Sequence, residues 1–304
     1  MAAVTPRRGD GTQGPERDGT AAPAFPAAGI DALPPAQMAA KAEDVGRAKA
    51  ELATGPLLAL GVLAGAFIAL GAIFSTTVTA GTGDLPFGVV RLLAGLTFSL
   101  GLVLVVVCGA ELFTGNNLIV MGWASRRVPT TLLLRNWVLV YAGNFVGAVA
   151  TVAIVYVARQ YRFGDGAVGE QALAIATAKT QLGFVQAIAL GALCNALVCL
   201  AVWMTYSARS TTDRILSVML PIAAFVAAGF EHSVANMYFI PMGLILREDE
   251  SWLASQGIEV DPGLTWQAFF VDNLLPVTIG NVIGGSLMVG AVYWLVYLRR
   301  RPIG

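Results

Sequence analysis

The stretch Gly229-Phe230-Glu231-His232-Ser233-Val234-Ala235-Asn236 lies inside a hydrophobic run, residues 215–246, that is long enough to cross a bilayer. It contains the single histidine of the chain, directly after a glutamate. Ionisable groups at membrane depth are costly, so this pair indicates a substrate or proton site that faces a cavity. The run continues through Pro241 and Gly243. This pattern predicts a transmembrane helix that breaks where its backbone lines a cavity.

The composition of the whole chain is that of a polytopic membrane protein. Of its 304 residues, 56% are hydrophobic and 12% are charged, and the mean hydropathy is +0.70. The formal net charge is zero and the hydrophobic part has no basic cluster, which argues against nucleic-acid binding. The cysteines lack the spacing of metal ligands, so neither a metal nor another cofactor is expected. We interpret them as small core residues: Cys108, Cys194 and Cys199.

Six hydrophobic segments have about the 20 residues that a membrane crossing needs. They are residues 56–78, 90–124, 130–158, 182–207, 215–246 and 270–298. The second and fifth are too long for one straight crossing and contain polar interruptions, which predict breaks around residues 112–117 and 232–236. The sequence therefore predicts an all-α membrane protein with six transmembrane helices, of which helices 2 and 5 are broken.

The segments that flank the predicted membrane domain, residues 55–298, differ from it in composition. Residues 1–35 are rich in Ala, Pro and Gly, which is typical of a disordered tail, and residues 36–54 predict a helix in the cytoplasm or at the membrane surface. Residues 299–304 form a C-terminal tail. Most of the 19 Lys and Arg residues lie near the two termini and in the loops after the second and fourth segments. The positive-inside rule then predicts a plasma-membrane (inner-membrane) protein with both termini cytoplasmic.

The two halves of the membrane domain contain the same motifs in the same order. The matched motifs are Gly109-Ala110-Glu111 with Asn116 and Gly229-Phe230-Glu231 with Asn236, then Gly143-Asn144-Phe145-Val146-Gly147 and Gly280-Asn281-Val282-Ile283-Gly284. Because each repeat has three segments, an odd number, the second half runs in the opposite direction, as an inverted 3+3 repeat. Such folds place their site near the midplane, between paired broken helices. We interpret the repeated glycines as packing residues that let helices approach closely.

Each broken helix has a second half that begins near the centre of the membrane. Its backbone N–H groups and the positive end of its dipole favour an anion there. Thr114 and Ser233 could add hydroxyl donors, although capping of the half-helices is an alternative role for both. For Asn116 and Asn236 we expect capping.

Five motifs, each modest alone, together resemble the formate/nitrite transporter family. They are Gly109-Ala110-Glu111-Leu112-Phe113-Thr114-Gly115-Asn116, Gly143-Asn144-x-x-Gly147, Cys194-Asn195-Ala196-Leu197-Val198-Cys199, Phe230-Glu231-His232-Ser233-Val234-Ala235-Asn236-Met237 and Pro276-Val277-Thr278-Ile279-Gly280-Asn281. The resemblance extends from about residue 55 to residue 298. It implies an aquaporin-like six-helix protomer in a homopentamer. It also implies one pore per protomer for small monovalent anions: formate, nitrite or hydrosulfide, with acetate or lactate in some members.

The resemblance further implies roles for individual residues. His232 would be the central histidine of the pore, Thr114 the threonine of the interrupted second span, and Lys179 the lysine of the outer vestibule. Asn195 and Asn281 would tune the site. The apolar constrictions would be formed by Phe98, Leu102, Leu112 and Phe225.

These residues suggest how a weak-acid anion could cross. Lys179 would attract the anion, and neutralising the anion would lower the cost of passing the apolar constrictions. A protonated His232, or a proton relayed through it, would provide that neutralisation. For Glu231 we favour a structural role, bonded to backbone or to a neighbouring helix end, over a proton relay.

Three other functions are weighed against formate transport. Nitrite, hydrosulfide or lactate are alternatives within the family, and formate is favoured because the motifs around Thr114 and His232 and the long acidic fifth loop look closer to formate members. A neutral-solute channel of the aquaporin type would normally carry two Asn-Pro-Ala motifs, and the chain has none. A membrane enzyme built around Glu231 and His232 would need more polar groups than one histidine and two intramembrane glutamates.

Overall fold

The computed structural model describes residues 32–299, which form helices joined by turns. Residues 1–31 of the predicted disordered tail and residues 300–304 of the C-terminal tail lie outside this range. The helices are α1 (Pro35–Glu51), α2 (Thr54–Thr79), α3 (Phe87–Cys108), α4 (Phe113–Asn116), α5 (Val120–Ala124), α6 (Thr130–Val157), α7 (Ala167–Thr180), α8 (Phe184–Ser207), α9 (Thr211–Ala228), α10 (Ser233–Leu246), α11 (Glu250–Gln256), α12 (Leu275–Val282) and α13 (Val292–Tyr297). Short 3₁₀ turns span Asn117–Ile119 and Gln160–Arg162, and π-helical segments span Ala268–Leu274 and Ile283–Ala291.

Six of these helical stretches are long and apolar enough to cross a membrane. They are α2, α3, α6, α8, α9 and the continuous helix Ala268–Tyr297, with hydropathies between 1.4 and 2.5. The shorter apolar helix α10 follows α9. The predicted all-α, six-span class is therefore confirmed. The inverted relation of the two halves stays an interpretation of the sequence.

Two glycines in the left-handed conformation end the helices that precede the site. Gly109 (φ +78°) follows α3, and Gly229 (φ +79°) follows α9. Glycine adopts this conformation without the steric cost that a Cβ brings. The helical geometry then resumes at Phe113 and at Ser233. The predicted breaks, at 112–117 and 232–236, therefore lay too late in the chain, because the polar residues that suggested them are already helical.

Glycines let the membrane helices pack with their backbones almost in contact. A Cβ added at Gly147 of α6 would lie 1.9 Å from the carbonyl oxygen of Val62 in α2. The equivalent Cβ at Gly284 would lie 2.0 Å from the carbonyl oxygen of Ala192 in α8. Both distances are far inside van der Waals contact, so larger residues would force the helices apart. The prediction that these glycines serve close packing is confirmed.

Two helices outside the six spans complete the packing around the site. Helix α1 begins one residue before the predicted helix 36–54, and its alanines pack against protein: Ala39 and Ala50 are fully buried. Helix α7 was not predicted, and it packs mainly against α10. Each of these helices carries a lysine in its last turn, Lys49 in α1 and Lys179 in α7. Their contacts with the site decide its electrostatics.

Candidate functional site: two cavities joined at a buried histidine

Each helix break is held by an asparagine from a different helix. The Nδ2 group of Asn144 donates to the carbonyl oxygens of Gly61 (2.8 Å) and Glu111 (2.9 Å), and its Oδ1 accepts from the backbone N–H of Phe113 (2.9 Å). Asn144 is fully buried. Both N–H donors of its amide and the amide oxygen are therefore bonded to backbone groups.

Asn281 repeats this arrangement at the second break. Its Nδ2 group donates to the carbonyl oxygens of Gly191 (2.8 Å) and Glu231 (2.9 Å), and its Oδ1 accepts from the backbone N–H of Ser233 (2.9 Å). The half-helices α4 and α10 thus receive side-chain acceptors from α6 and α12. We conclude that Asn281 holds the backbone of the site in position.

Asn116 and Asn236, which we expected to cap the half-helices, instead bind the buried glutamates. Asn116 donates to Glu111 Oε2 (2.7 Å) and to Asn136 Oδ1 (2.9 Å). Asn236 donates to Glu231 Oε2 (2.7 Å) and to Asn273 Oδ1 (2.7 Å). The prediction that both cap the half-helices was wrong. Both lie inside α4 and α10, whereas a capping side chain has to come from the residue just before the first helical turn, where the N–H groups are free.

Each glutamate also forms an ion pair with the lysine of α1 or α7. Lys49 Nζ lies 2.6 Å from Glu111 Oε1, and Lys179 Nζ lies 2.8 Å from Glu231 Oε1. The glutamate side chains are 7% and 6% exposed. Glu231 is thus bound by Lys179, at the end of the neighbouring helix α7, and by Asn236, and the structural role that we favour for it stays a prediction. A buried carboxylate needs such a partner, since an uncompensated charge there is strongly destabilising.

The two ion-paired networks differ in their other hydrogen bonds. In the second network, Asn273 Nδ2 also donates to Glu231 Oε2, at 3.5 Å. Lys49 Nζ also donates to Asn116 Oδ1, at 3.2 Å. The corresponding oxygen, Asn236 Oδ1, has no hydrogen-bond partner among residues 32–299. Lys179 instead lies 5.5 Å from the centroid of the Phe239 ring, a cation–π contact.

His232 is the N-cap of α10 and is 3% exposed. Its Nδ1 accepts a hydrogen bond from the backbone N–H of Ala235 (3.1 Å), so Nδ1 carries no proton in this arrangement. The neutral ring then has its proton on Nε2, which lies 2.8 Å from Thr114 Oγ1. Nε2–H therefore donates to the threonine hydroxyl. Protonation at Nδ1 would break the cap, so the geometry favours a neutral histidine that acts as a donor through Nε2.

Two cavities of similar volume lie on either side of this histidine. One, of about 310 Å³, is lined by Lys179, Glu231 and His232 among others, and we call it the Lys179 cavity. The other, of about 300 Å³, is lined by Lys49 and Glu111 among others, and we call it the Lys49 cavity. Each cavity is thus lined by one of the two ion pairs.

A much smaller void, of about 10 Å³, lies between the cavities, and we call it the neck. It is lined by Ile68, Phe98, Leu102, Leu112, Val198, Ile222, Phe225 and His232. Phe98 and Phe225 also line the Lys179 cavity, whereas Leu102 and Leu112 also line the Lys49 cavity. All four side chains that we predicted as constrictions therefore meet at the neck. Its volume is about that needed for one water molecule.

Three predicted site residues lie behind the path and not on it. Asn195 donates to the carbonyl oxygens of Thr114 (3.2 Å) and Asn281 (2.7 Å) and to Asn117 Oδ1 (2.8 Å). Neither Asn195, Asn281 nor Thr114 lines the neck or the two cavities within residues 32–299. Thr114 reaches the path only through its contact with His232. That Asn195 and Asn281 tune the site stays a prediction, and they would do so through their contacts with neighbouring backbone and side chains.

Sequence reasoning missed Lys49 and Arg91, which line the Lys49 and Lys179 cavities. Lys49 could have been found from the repeat, since Ala-Lys-x-x-Leu occurs at residues 48–52 and again at residues 178–182. The repeat therefore begins earlier than we assumed, in α1 and α7. Nothing comparable marks Arg91, which has no counterpart in the second half.

Comparisons with known proteins agree with this geometry. A family model described as formate/nitrite transporter matches residues 36–295. The chain is 47% identical over 274 residues to the formate channel FocA of Escherichia coli strain K12, covering 89% of this chain and 96% of that protein. It is 41% identical over 263 residues to the formate channel FocA of Haemophilus influenzae, covering 85% and 93%. A solved structure, described as a pentameric formate channel with formate bound, matches with a TM-score of 0.75 and 44% identity, covering 81% of this chain and 98% of that one.

Proposed function

Because the chain belongs to the formate/nitrite transporter family, we propose that it carries formate across the membrane through the two cavities and the neck. The observation that supports this most is the neck itself, an apolar constriction with one buried N–H donor between two cavities that each contain an ion pair. The relatives named as formate channels favour formate over the other small anions of the family. A membrane enzyme is excluded, because this is a family of transporters.

The neck favours a neutral form of the substrate. Apart from His232, its lining side chains are apolar, and a bare charge in such surroundings costs several kcal/mol. Formate that takes up a proton from water in a cavity becomes formic acid, which avoids this cost. One proton would then accompany each formate, and the transported species would be neutral overall.

His232 acts in this proposal as a hydrogen-bond donor. A substrate oxygen in the neck would replace Thr114 Oγ1 as the acceptor of Nε2–H, while Nδ1 keeps its bond to the N–H of Ala235. The ring stays neutral throughout, so the proton that neutralises formate comes from solvent. This differs from the protonated histidine that the sequence suggested.

We propose that five copies assemble, each with its own path, in the inner (plasma) membrane with both termini in the cytoplasm. The solved structure of a pentameric formate channel supports the assembly. The distribution of Lys and Arg supports the orientation. In that orientation the Lys179 cavity opens to the outside.

Uptake by the purified protein in liposomes tests the function. We expect radiolabelled formate to enter faster than nitrite or lactate, with proton uptake that matches formate uptake. Liposomes without protein are the baseline, and uptake of urea tests the neutral-solute channel. Faster nitrite than formate transport would reassign the substrate, and no anion uptake above the baseline would overturn the proposal.

A further inference from the structure

Arg91, near the start of α3, is a charged residue of the Lys179 cavity that neither the repeat nor the family motifs explain. It lies in the lining of that cavity together with Lys179 and Glu231. Its side chain is half-buried, and its guanidinium lies 6.0 Å from the centroid of the Phe87 ring. We therefore asked what its charge contributes to the path.

The contacts of Arg91 are with neutral groups. Its Nε donates to the carbonyl oxygen of Ala227 (3.0 Å) and its Nη2 to that of Val226, in the last turn of α9. Among residues 32–299, no carboxylate lies within 4 Å of its guanidinium. Glu231, which lines the same cavity, is already paired with Lys179 at 2.8 Å. The positive charge of Arg91 therefore has no direct counter-charge.

The two cavities consequently differ in charge. The Lys179 cavity is lined by two cations, Arg91 and Lys179, and one carboxylate, Glu231. The Lys49 cavity is lined by one cation and one carboxylate, Lys49 and Glu111. In the repeat, Glu231 lies 120 residues after Glu111. The residue 120 positions after Arg91 is Thr211, which is uncharged, so the second half has no equivalent charge.

We propose that Arg91 supplies the net positive charge that concentrates anions in the Lys179 cavity, and that the ion-paired Lys179 does not. This rests on the proposed transport of formate. A cation in a cleft with apolar walls raises the local concentration of anions, and salt screens this effect. The Lys49 cavity, whose charges balance, has no such enrichment.

The expected signature is a difference between the two sides of the membrane. Enrichment lowers the half-saturating formate concentration for entry from the Lys179 side only. Passive transport gives no net flux when the formate concentration is equal on both sides. The ratio of maximal rate to half-saturating concentration must therefore be the same for entry from either side. The maximal rate from the Lys179 side is then lower in the same proportion.

Two substitutions at Arg91 separate its charge from its contacts with α9. Arg91→Lys keeps the charge but loses the fixed fork that reaches two carbonyl oxygens. Arg91→Gln loses the charge but keeps an N–H donor. Formate uptake would be measured in right-side-out and inside-out membrane vesicles, at low and at high ionic strength.

We expect Arg91→Gln to raise the half-saturating concentration about threefold to tenfold from the Lys179 side, to weaken its dependence on salt, and to leave the other side unchanged. Arg91→Lys should resemble the wild type. Equal effects of both substitutions would assign Arg91 to the helix contact and overturn the proposal. Unchanged half-saturation in both would also overturn it.

A second pair of variants leaves Arg91 and its contacts in place. Val90 lines the same cavity, so Val90→Glu adds a carboxylate beside Arg91, and Val90→Gln is its uncharged match. Only Val90→Glu should reproduce the effect of Arg91→Gln, and equal behaviour of the pair would contradict the proposal. Wild-type vesicles that take up no formate would refute the proposed function instead. Wild-type uptake with equal salt dependence from both sides would refute only the role of Arg91.

Discussion

At the scale of the residue, the buried glutamates and the histidine along the path each have fixed side-chain or backbone partners. Glu111 and Glu231 are buried, and each is neutralised by a lysine from α1 or α7. His232 is fixed by two hydrogen bonds, one to the backbone of α10 and one to Thr114. The charges that the sequence displays at membrane depth are therefore mostly cancelled in the folded protein.

For His232, we predict that His232→Asn folds but takes up formate more slowly than the wild type at every pH. An asparagine Oδ1 can still accept from the N–H of Ala235 and cap α10, whereas the Nε2–H donor in the neck is lost. Because a hydrogen bond between neutral groups contributes about 1 kcal/mol, uptake should fall about fivefold. Uptake and proton flux would be measured between pH 5 and pH 8. Proton coupling should persist, because the proton comes from solvent, and a wild-type rate of uptake in a folded variant would contradict the prediction.

For Lys179, we predict a loss of stability that a second substitution repairs. Lys179→Ala leaves the Glu231 carboxylate buried without its cation, which should cost roughly 3 to 5 kcal/mol and raise the half-saturating formate concentration. In Lys179→Ala with Glu231→Gln, no charge is left unpaired, and the net charge of the cavity equals that of the wild type. Both unfolding in denaturant and uptake should then return toward wild-type values. A stable double variant with poor uptake would show instead that Lys179 itself binds the anion.

At the scale of the element, the two helix breaks are built from parts of four helices each. Glycines in the left-handed conformation end α3 and α9, and Asn144 and Asn281 then bind the exposed backbone groups on both sides of each break. Unpaired backbone groups at membrane depth have no water to bind, so these asparagines are a condition for the breaks to exist.

We predict that Asn281→Leu destabilises the protein by about 3 kcal/mol or more. The substitution leaves three backbone groups without a side-chain partner, the carbonyl oxygens of Gly191 and Glu231 and the N–H of Ser233, each at a cost of about 1 kcal/mol or more. Thr151→Val is a suitable control, because its hydroxyl only donates to the carbonyl of Gly147 in its own helix. Thermal unfolding in detergent would measure the stability of both variants. Equal stability of the two would contradict the prediction.

At the scale of the whole molecule, the described surface is strongly apolar. Val157, Val185 and Leu220 are 79%, 78% and 74% exposed, and many other large apolar side chains are exposed with them. Lipid and neighbouring protomers are the surroundings that suit such a surface. The solved pentameric relative indicates how copies could share it.

We predict that the intact chain forms a homopentamer in mild detergent. Native mass spectrometry should give a complex of five chains, each of 31.7 kDa. Cross-linking in native membranes is the control against assembly that the detergent induces. Monomers in both experiments would contradict the proposed assembly.

The sequence by itself determined the six apolar helices, the paired motifs and the position of His232 within the second of these motifs. These features depend on local composition and spacing, which fix hydropathy and helix formation without knowledge of distant contacts. The family resemblance also named four apolar side chains that line the neck, and their role as constrictions stays a prediction.

The tertiary structure alone decided which polar groups meet. Asn144 and Asn281, and not Asn116 and Asn236, bind the backbone at the breaks, and the lysines of α1 and α7 neutralise glutamates that lie 62 and 52 residues further along the chain. A hydrogen bond or ion pair depends on distances of about 3 Å, which the packing of several helices sets and which no local pattern records. For that reason the histidine could be found from the sequence, whereas its role as the N-cap of α10 and the net charge of each cavity followed only from the fold.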